Sequence, residues 1–191
     1  ASVSDLGTTN RVADNFSGLT TDICDIHWYG LNAYNGGSGF ATCSKPDPET
    51  FTVVFYEDNA GVPGTVAGTY TVSPTKVATG DSYGLFPLYY YSTTISPCLT
   101  LTDGWVSIQS DATTGCWFLW ANSYDGEYAA ASSTDSGTTW TAAAENFAFC
   151  LTDTVEPTAT PTPEPTNTAE PTVTPTETPS EPTPTPTATI P

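Results

Sequence analysis

The sequence predicts an all-β protein, an antiparallel β-sandwich of jelly-roll type with an extended, polyproline-II-like C-terminal tail. Short runs rich in Val, Ile, Thr, Tyr and Trp recur at intervals of about ten residues, separated by turn residues. No run shows the apolar period of about 3.6 residues that an amphipathic helix requires. With 5 Trp, 10 Tyr and 8 Phe, the chain has enough apolar material for the core of one domain.

The predicted strands either alternate between two faces or are apolar throughout. In "DICDIHWYG", Ile26 and Trp28 fall on one face, and His27 and Tyr29 fall on the other. The continuous run "CWFLW" indicates a central strand covered on both faces, or else an exposed aromatic surface. We expect about eight to ten strands. In chain order the segments are RVADNFSG, DICDIHWYG, FTVVFYE, GTYTVSP, LFPLYYYSTTI, CLTL, GWVSIQS, CWFLWANS and ENFAFCL, with weaker candidates around Tyr128 and Trp140.

Two stretches rich in Asp, Asn and Gly, "YEDNAGVPG" and "NSYDGEY", predict turns between strands. In the first of them Gly61 and Gly64 can take positive φ, and the ring of Pro63 restricts its own φ. Such residues are also typical of calcium loops, but neither stretch has the spacing of an EF-hand. We therefore expect turns and no cofactor, with a structural calcium ion as the alternative.

Residues 153–191 are predicted to form a Pro-Thr-rich tail, separate from a disulfide-stabilised sandwich at residues 1–152. Proline lacks a backbone donor and restricts φ, so this composition favours an extended polyproline II conformation. Thr residues flanked by Pro are typical of O-glycosylated stalks. The predicted O-glycosylation sites are Thr158, Thr160, Thr162, Thr166, Thr172, Thr174, Thr176, Thr183, Thr185 and Thr187.

The charge of the chain argues against two classes of partner. Lys and Arg number 3 against 21 Asp and Glu, which gives a net charge of −18. Nucleic acids and anionic membrane surfaces are bound by clustered Lys and Arg, whereas Arg11, Lys45 and Lys76 are scattered singly along the sequence. No apolar run approaches the roughly 20 residues of a membrane helix. We expect no nucleic-acid partner and no membrane insertion.

The cysteine pattern indicates disulfides rather than a zinc site, because no CxxC pair is present. Sequence separation favours a bridge between Cys24 and Cys43, with a second bridge among the other three cysteines. The chain contains no Met, which indicates that an N-terminal segment has been removed. We therefore expect a secreted protein, extracellular or at the cell surface. The disulfide candidates are Cys24, Cys43, Cys98, Cys116 and Cys150.

The sequence predicts no enzyme. It has 1 His, which excludes a two-histidine metal site, and it lacks the GxSxG, HExxH and Gly-rich phosphate motifs. Cys24 and His27 are close in sequence, but residues i and i+3 of a strand point to opposite faces. A bridged cysteine and an exposed histidine are therefore expected there. Carboxylates are numerous, but nothing in the sequence marks a catalytic pair among them.

Outward-facing aromatic side chains are the main functional candidates. If Ile26 and Trp28 face inward, then Tyr29 faces outward, and by the same alternation we expect Tyr56, Trp105 and Gln109 on the surface. Aromatic rings on a sandwich surface can stack on the apolar faces of sugar rings, with neighbouring polar groups as hydrogen-bond partners. The sequence therefore predicts Tyr29, Tyr56, Trp105 and Gln109 as binding residues.

The segments "RVADNFSG", "ICDIHWYG", "FTVVFYEDNAGVPG", "GWVSIQS" and "FAFCLT" resemble a β-sandwich domain of predicted secreted proteins from environmental bacteria. The likeness covers most of residues 10–152. It implies secretion, an all-β fold and a domain boundary near residue 152, and it lends no catalytic residues. The tail is similar to the Pro-Thr linkers that join modules in secreted bacterial polysaccharide-degrading proteins.

These observations favour a non-enzymatic extracellular structural or adhesive protein. In this hypothesis the sandwich is carried on, or assembles through, a glycosylated Pro-Thr tail, and a surface fibre is the candidate assembly. The alternative is a carbohydrate-binding module tethered by the tail to a polysaccharide-degrading enzyme. The expected partners are other copies of the chain or the glycans of cell surfaces and matrices.

Overall fold

The structure, a computed structural model, describes residues 1–37, 39–111 and 115–153. This part of the chain is all-β and contains no helix. It has thirteen strands, more than the sequence predicts. They are β1 Ser2–Val3, β2 Arg11–Phe16, β3 Ile23–Asn35, β4 Phe40–Thr42, β5 Phe51–Asp58, β6 Pro63–Val72, β7 Thr75–Tyr83, β8 Phe86–Leu99, β9 Gly104–Ser110, β10 Trp117–Trp120, β11 Ala130–Ser133, β12 Thr141–Ala143 and β13 Phe149–Thr152.

The strands form two sheets, and their ladder pairings are antiparallel. The first sheet has the order β1-β10-β3-β8-β7, with β4 and β13 also paired to β3. The second has the order β12-β11-β2-β9-β5-β6. Side chains from both sheets share one buried core, as in a face-to-face sandwich. The predicted antiparallel sandwich is confirmed, whereas its jelly-roll type stays a prediction.

The core is built from alternate residues of the central strands. Ile26 and Trp28 of β3 face Phe51 of β5 and Val106 of β9, and all four are fully buried. The Trp28 ring lies 5.1 Å from the Phe51 ring across the interface between the sheets. Burying a side chain of this size contributes about 1.5–3 kcal/mol to stability. The predicted inward face of "DICDIHWYG" is therefore confirmed.

Strand β3 changes its neighbour on one edge at Tyr29. Up to that point it pairs with β13, and from Gly30 onward it pairs with β10. The Tyr29 N–H donates to the Ala148 carbonyl at 3.1 Å, and the Tyr29 carbonyl accepts from the Ala121 N–H at 3.0 Å. A Cβ atom at Gly30 would lie 2.2 Å from the Phe118 ring, so the strands meet closely here. Tyr29 thus lies at a junction of three strand segments.

The disulfides join Cys24 to Cys98 and Cys43 to Cys116, and Cys150 is a free, exposed thiol. The expected Cys24–Cys43 bridge is therefore wrong. Strands β3 and β8 are paired neighbours, which places the Cα atoms of Cys24 and Cys98 4.5 Å apart. Sheet register decides the pairing, and separation along the chain does not reveal it.

The three basic residues of the chain, scattered in sequence, converge on Asp5 and Glu49. The buried Lys45 ammonium forms an ion pair with Asp5 and lies 3.6 Å from Glu49 Oε1. It also donates to the Ser110 hydroxyl at 2.6 Å. Lys76 Nζ lies 3.1 Å from Glu49 Oε2. The structure thereby corrects the sequence-based view of three isolated cations.

Arg11 is the third cation of this set. Its guanidinium donates to the backbone carbonyls of Asp5 at 2.8 Å, Thr8 at 2.7 Å and Asn10 at 2.8 Å. Because every Lys and Arg of the chain has partners within the fold, acidic side chains dominate the charge of the described surface. We refer to Asp5, Arg11, Lys45, Glu49 and Lys76 as the buried ionic network.

From residue 154 onward the predicted tail lies outside the described residues, and so do the ten predicted Thr glycosylation sites. The boundary at residue 152 and the extended conformation of the tail therefore stay predictions. In the described ranges, no helix is long and apolar enough to span a membrane.

Candidate functional site

Three of the four predicted surface residues are buried. Tyr56, Trp105 and Gln109 do face away from the main core, as the alternation predicts, but Trp105 is only 2% exposed. A second apolar cluster covers this outer face, with the Trp140 ring 5.6 Å from the Tyr56 ring. The Trp105 indole donates to Asp58 Oδ1 at 2.8 Å. The prediction that these three side chains lie on the surface is therefore wrong.

Tyr29 is exposed, as predicted, and it lies beside a second tyrosine that the sequence did not single out. Tyr90 of β8 is the cross-strand neighbour of Tyr29, and their ring centroids are 5.2 Å apart. The exposed fraction of Tyr29 is 37%. The two rings together form an aromatic surface on the outer face of the first sheet.

His27 is buried beside this aromatic surface, contrary to the expectation of an exposed histidine. Its ring is nearly parallel to the Tyr90 ring, with an angle of 14° and 5.6 Å between centroids. The Tyr90 hydroxyl lies 2.5 Å from His27 Nδ1, and Asp25 Oδ2 lies 3.4 Å from His27 Nε2. These contacts orient the Tyr90 ring. Cys24 is bridged, as expected, so it forms no nucleophile pair with His27.

An open cleft of about 900 Å³ begins at these rings. Residues 14–17, 125–127 and 146–150 line its other walls. These segments are far apart in sequence, and the pairing of β13 with β3 brings the last of them beside Tyr29. The lining combines aromatic rings, amides, hydroxyls and carboxylates, a combination that suits a polar ligand with apolar faces. We call it the tyrosine cleft.

The stretch "NSYDGEY" forms one lip of the tyrosine cleft. Gly126 has φ +123°, and a Cβ atom there would lie 2.5 Å from Asn146 Nδ2. Asn146 Nδ2 in turn donates to the Asp125 carbonyl at 2.9 Å, which holds the lip against the cleft wall. Tyr124 is 90% exposed, and the Tyr128 hydroxyl donates to its carbonyl at 2.9 Å. The lip therefore requires glycine at position 126.

The predicted turn at "DNAGVPG" is confirmed for Gly61, whose φ is +85°, whereas Gly64 lies inside β6 without a positive φ. Within residues 1–37, 39–111 and 115–153, no three His, Cys, Asp or Glu side chains form a group that could hold a metal ion. The structural calcium ion stays an untested alternative.

Asp14 lies in the floor of the tyrosine cleft and is almost fully buried. Its Oδ2 accepts from the Phe147 N–H at 2.6 Å, and its Oδ1 accepts from the Asn15 N–H at 3.0 Å. Burial raises the pKa of this carboxyl to about 6, because the loss of water outweighs the two backbone hydrogen bonds that favour the charged form. Asp14 therefore changes charge under mildly acidic conditions.

The raised pKa of Asp14 predicts a pH-dependent contribution to stability. Between its usual pKa of 3.8 and about 6, the folded state binds more protons than the unfolded state, so the free energy of unfolding falls as pH rises. The variant Asp14→Asn lacks the titrating carboxyl group, so its free energy of unfolding lacks this pH-dependent contribution. Urea unfolding should show the wild type losing up to about 3 kcal/mol relative to the variant across this range. A constant difference between the two proteins from pH 3.5 to 7 would contradict the raised pKa.

Comparisons with known proteins identify no relative of this chain. No family model, curated protein or solved structure matches it. The resemblance to a secreted bacterial sandwich domain therefore stays an expectation. The β-sandwich fold by itself assigns no function, because this fold supports many unrelated functions.

Proposed function

We propose that this protein is a non-enzymatic, secreted glycan-binding module that acts in adhesion or in the targeting of a companion domain. Of the two functions that the sequence leaves open, the tyrosine cleft supports carbohydrate binding. The observation that carries the proposal is the exposed Tyr29 ring, paired with Tyr90 in a cleft that both aromatic and polar side chains line. Sugar rings have apolar C–H faces and hydroxyl edges, and this lining matches both.

The polar groups of the cleft are suited to hydroxyl recognition. Asn15, Ser17 and Ser123 are at least partly exposed and line the same cleft as Tyr29 and Tyr90. Amides and hydroxyls both donate and accept hydrogen bonds, as sugar hydroxyls do. The buried Asp14 and Asn146 are held by backbone contacts, so part of the wall is preorganised. Preorganisation lowers the entropic cost of binding a polar ligand.

The contacts of His27 support a binding role over a catalytic one. Cys150 lies opposite His27 in the pairing of β13 with β3, so a thiol and an imidazole are neighbours in the cleft. Activation of a thiol requires a ring nitrogen that can take its proton. Here Nδ1 contacts the Tyr90 hydroxyl and Nε2 contacts Asp25. We therefore place His27 as a positioning residue for Tyr90.

The two disulfides indicate an oxidising environment, which supports an extracellular location. In this proposal the Pro-Thr tail acts as a glycosylated spacer that holds the sandwich away from its attachment. Assembly into a fibre with other copies through the tail is the other function expected from the sequence. It rests on residues outside the described ranges, so the cleft carries the proposal instead.

Substitution of Tyr29 tests glycan binding directly. Tyr29→Ala removes one stacking face, and we expect the affinity for a bound neutral oligosaccharide to fall about tenfold. Isothermal titration against cello-, xylo- and manno-oligosaccharides measures this. Tyr34→Ala is the matched control, since Tyr34 is on the same strand and 40% exposed but does not line the cleft. Equal losses in the two variants would refute a binding role for the cleft.

A further inference from the structure

We infer that the ligand of the tyrosine cleft is an amino-sugar polymer, a chain of pyranose rings that carry protonated amines. This inference rests on the proposed glycan-binding function and adds the charge of the ligand. Its basis is the distribution of ionic side chains over the fold. Carboxylates line the cleft, and the Lys and Arg residues of the chain lie in the buried ionic network.

Among the described residues, three carboxyl groups line the tyrosine cleft, those of Asp14, Asp125 and Glu127. Asp125 and Glu127 are exposed and lie on either side of Gly126 in the lip. An ammonium group donates to a carboxylate through hydrogen bonds roughly twice as strong as those between neutral groups. Because these two side chains are solvated before binding, a ligand amine can reach them without disrupting the fold.

No Lys or Arg side chain competes with a ligand amine for these carboxylates in the described lining of the cleft. The chain has 3 Lys and Arg residues, and none of them is among the described residues that line the cleft. Arg11 donates to three backbone carbonyls, and Lys45 and Lys76 contact Glu49. A glycan rich in uronic acid or sulfate would therefore meet carboxylates without a Lys or Arg partner. Unpaired like charges disfavour such a ligand.

The aromatic surface favours the same ligand class. An amino sugar retains the apolar ring face that can stack on the adjacent rings of Tyr29 and Tyr90. The face of a tyrosine ring also attracts a nearby ammonium group. Tyr124 and Tyr128, the sequence neighbours of Asp125 and Glu127, are exposed as well.

The experiment compares glucosamine tetramer with cellotetraose, which has the same ring and linkage but no amines. Titrations of the full chain are carried out at about pH 5.5, where the amines of the glucosamine tetramer are protonated. We expect the glucosamine tetramer to bind at least tenfold more tightly. In the double variant D125N/E127Q this preference should fall at least tenfold. The control D81N/E57Q removes the same charge from exposed positions that do not line the cleft, and it should keep the preference.

The outcomes separate this inference from the proposed function. If cellotetraose binds as tightly as the glucosamine tetramer, and Tyr29→Ala weakens both, then glycan binding holds and the amino-sugar inference is wrong. If oligogalacturonate binds more tightly than either, the charge argument is overturned. Spermine binding as tightly as the glucosamine tetramer, with no effect of Tyr29→Ala, would show a simple cation-attracting surface and contradict both. If no oligosaccharide binds, both fail.

Discussion

Replacing Lys45 with methionine is expected to lower the free energy of unfolding by about 3–5 kcal/mol. The Lys45 ammonium is fully buried between Asp5 and Glu49, and the Ser110 hydroxyl and the Asp111 carbonyl accept further hydrogen bonds from it. Methionine fills a similar volume but leaves two buried carboxylates without their shared cation. Removing one partner of a buried ion pair is strongly destabilising, because the remaining charge has lost its hydration.

Chemical denaturation measures the free energy of unfolding of Lys45→Met, and the variant Lys76→Met is the control. The Lys76 side chain reaches solvent and forms one of these ion pairs, so its substitution should cost clearly less than that of Lys45. A loss below about 1 kcal/mol, or equal losses in both variants, would contradict the role of the buried ionic network.

Removing the Cys24–Cys98 bridge is expected to cost about 4 kcal/mol of stability. The bridge joins residues 74 apart in sequence, and a cross-link of that span removes much of the conformational entropy of the unfolded chain. The double variant C24A/C98A should therefore unfold at a markedly lower denaturant concentration than the wild type.

The control for this variant is Cys150→Ala, which removes a free and exposed thiol and should change stability by less than about 0.5 kcal/mol. Peptide mapping under non-reducing conditions checks the connectivity, with Cys24 expected in a peptide linked to Cys98. A bridge between Cys24 and Cys43 would contradict the Cys24–Cys98 connectivity. Unchanged stability of C24A/C98A would contradict the expected contribution of that bridge.

The alternation of side chains was predictable from the sequence, but what covers each face was not. The pattern of "DICDIHWYG" placed Ile26 and Trp28 inward and Tyr29 outward, as the structure has them. The same argument placed Trp105 outward, yet Trp105 is buried under a cluster that includes Trp140. A period of two residues determines which face a side chain is on. Burial of that face depends on segments that are distant in sequence.

Strands at the exposed edges of the sheets could not be predicted from the sequence either. Strand β7, Thr75–Tyr83, shows no apolar run and no regular alternation, and it was not among the predicted strands. It forms because β8 offers an unpaired edge along most of its length. The weaker candidates near Tyr128 and Trp140 lie next to β11 and β12, which begin shortly after them. Whether such a segment forms a strand depends more on backbone pairing with a neighbouring strand than on its composition.

The tyrosine cleft depends on contacts between distant segments, and this explains why only one of its aromatic residues was predicted. Tyr29 followed from alternation, whereas Tyr90 and Asp14 become part of the cleft only through sheet register and the hydrogen bond to Phe147. For the lip, the stretch "NSYDGEY" did predict a turn, because Asp, Asn and Gly residues favour turns. Its place at the lip follows from the contact between Gly126 and Asn146.

Nuclear magnetic resonance of the full chain, titrated with cellotetraose and with glucosamine tetramer, tests glycan binding at the tyrosine cleft most directly. We expect concentration-dependent shifts of backbone amide resonances in residues 14–17, 125–127 and 146–150 and at Tyr29. Amides of β6, the edge strand of the second sheet that contributes no residue to the cleft lining, should remain in place. Shifts confined to another surface, or no shift with either oligosaccharide, would contradict the proposed function.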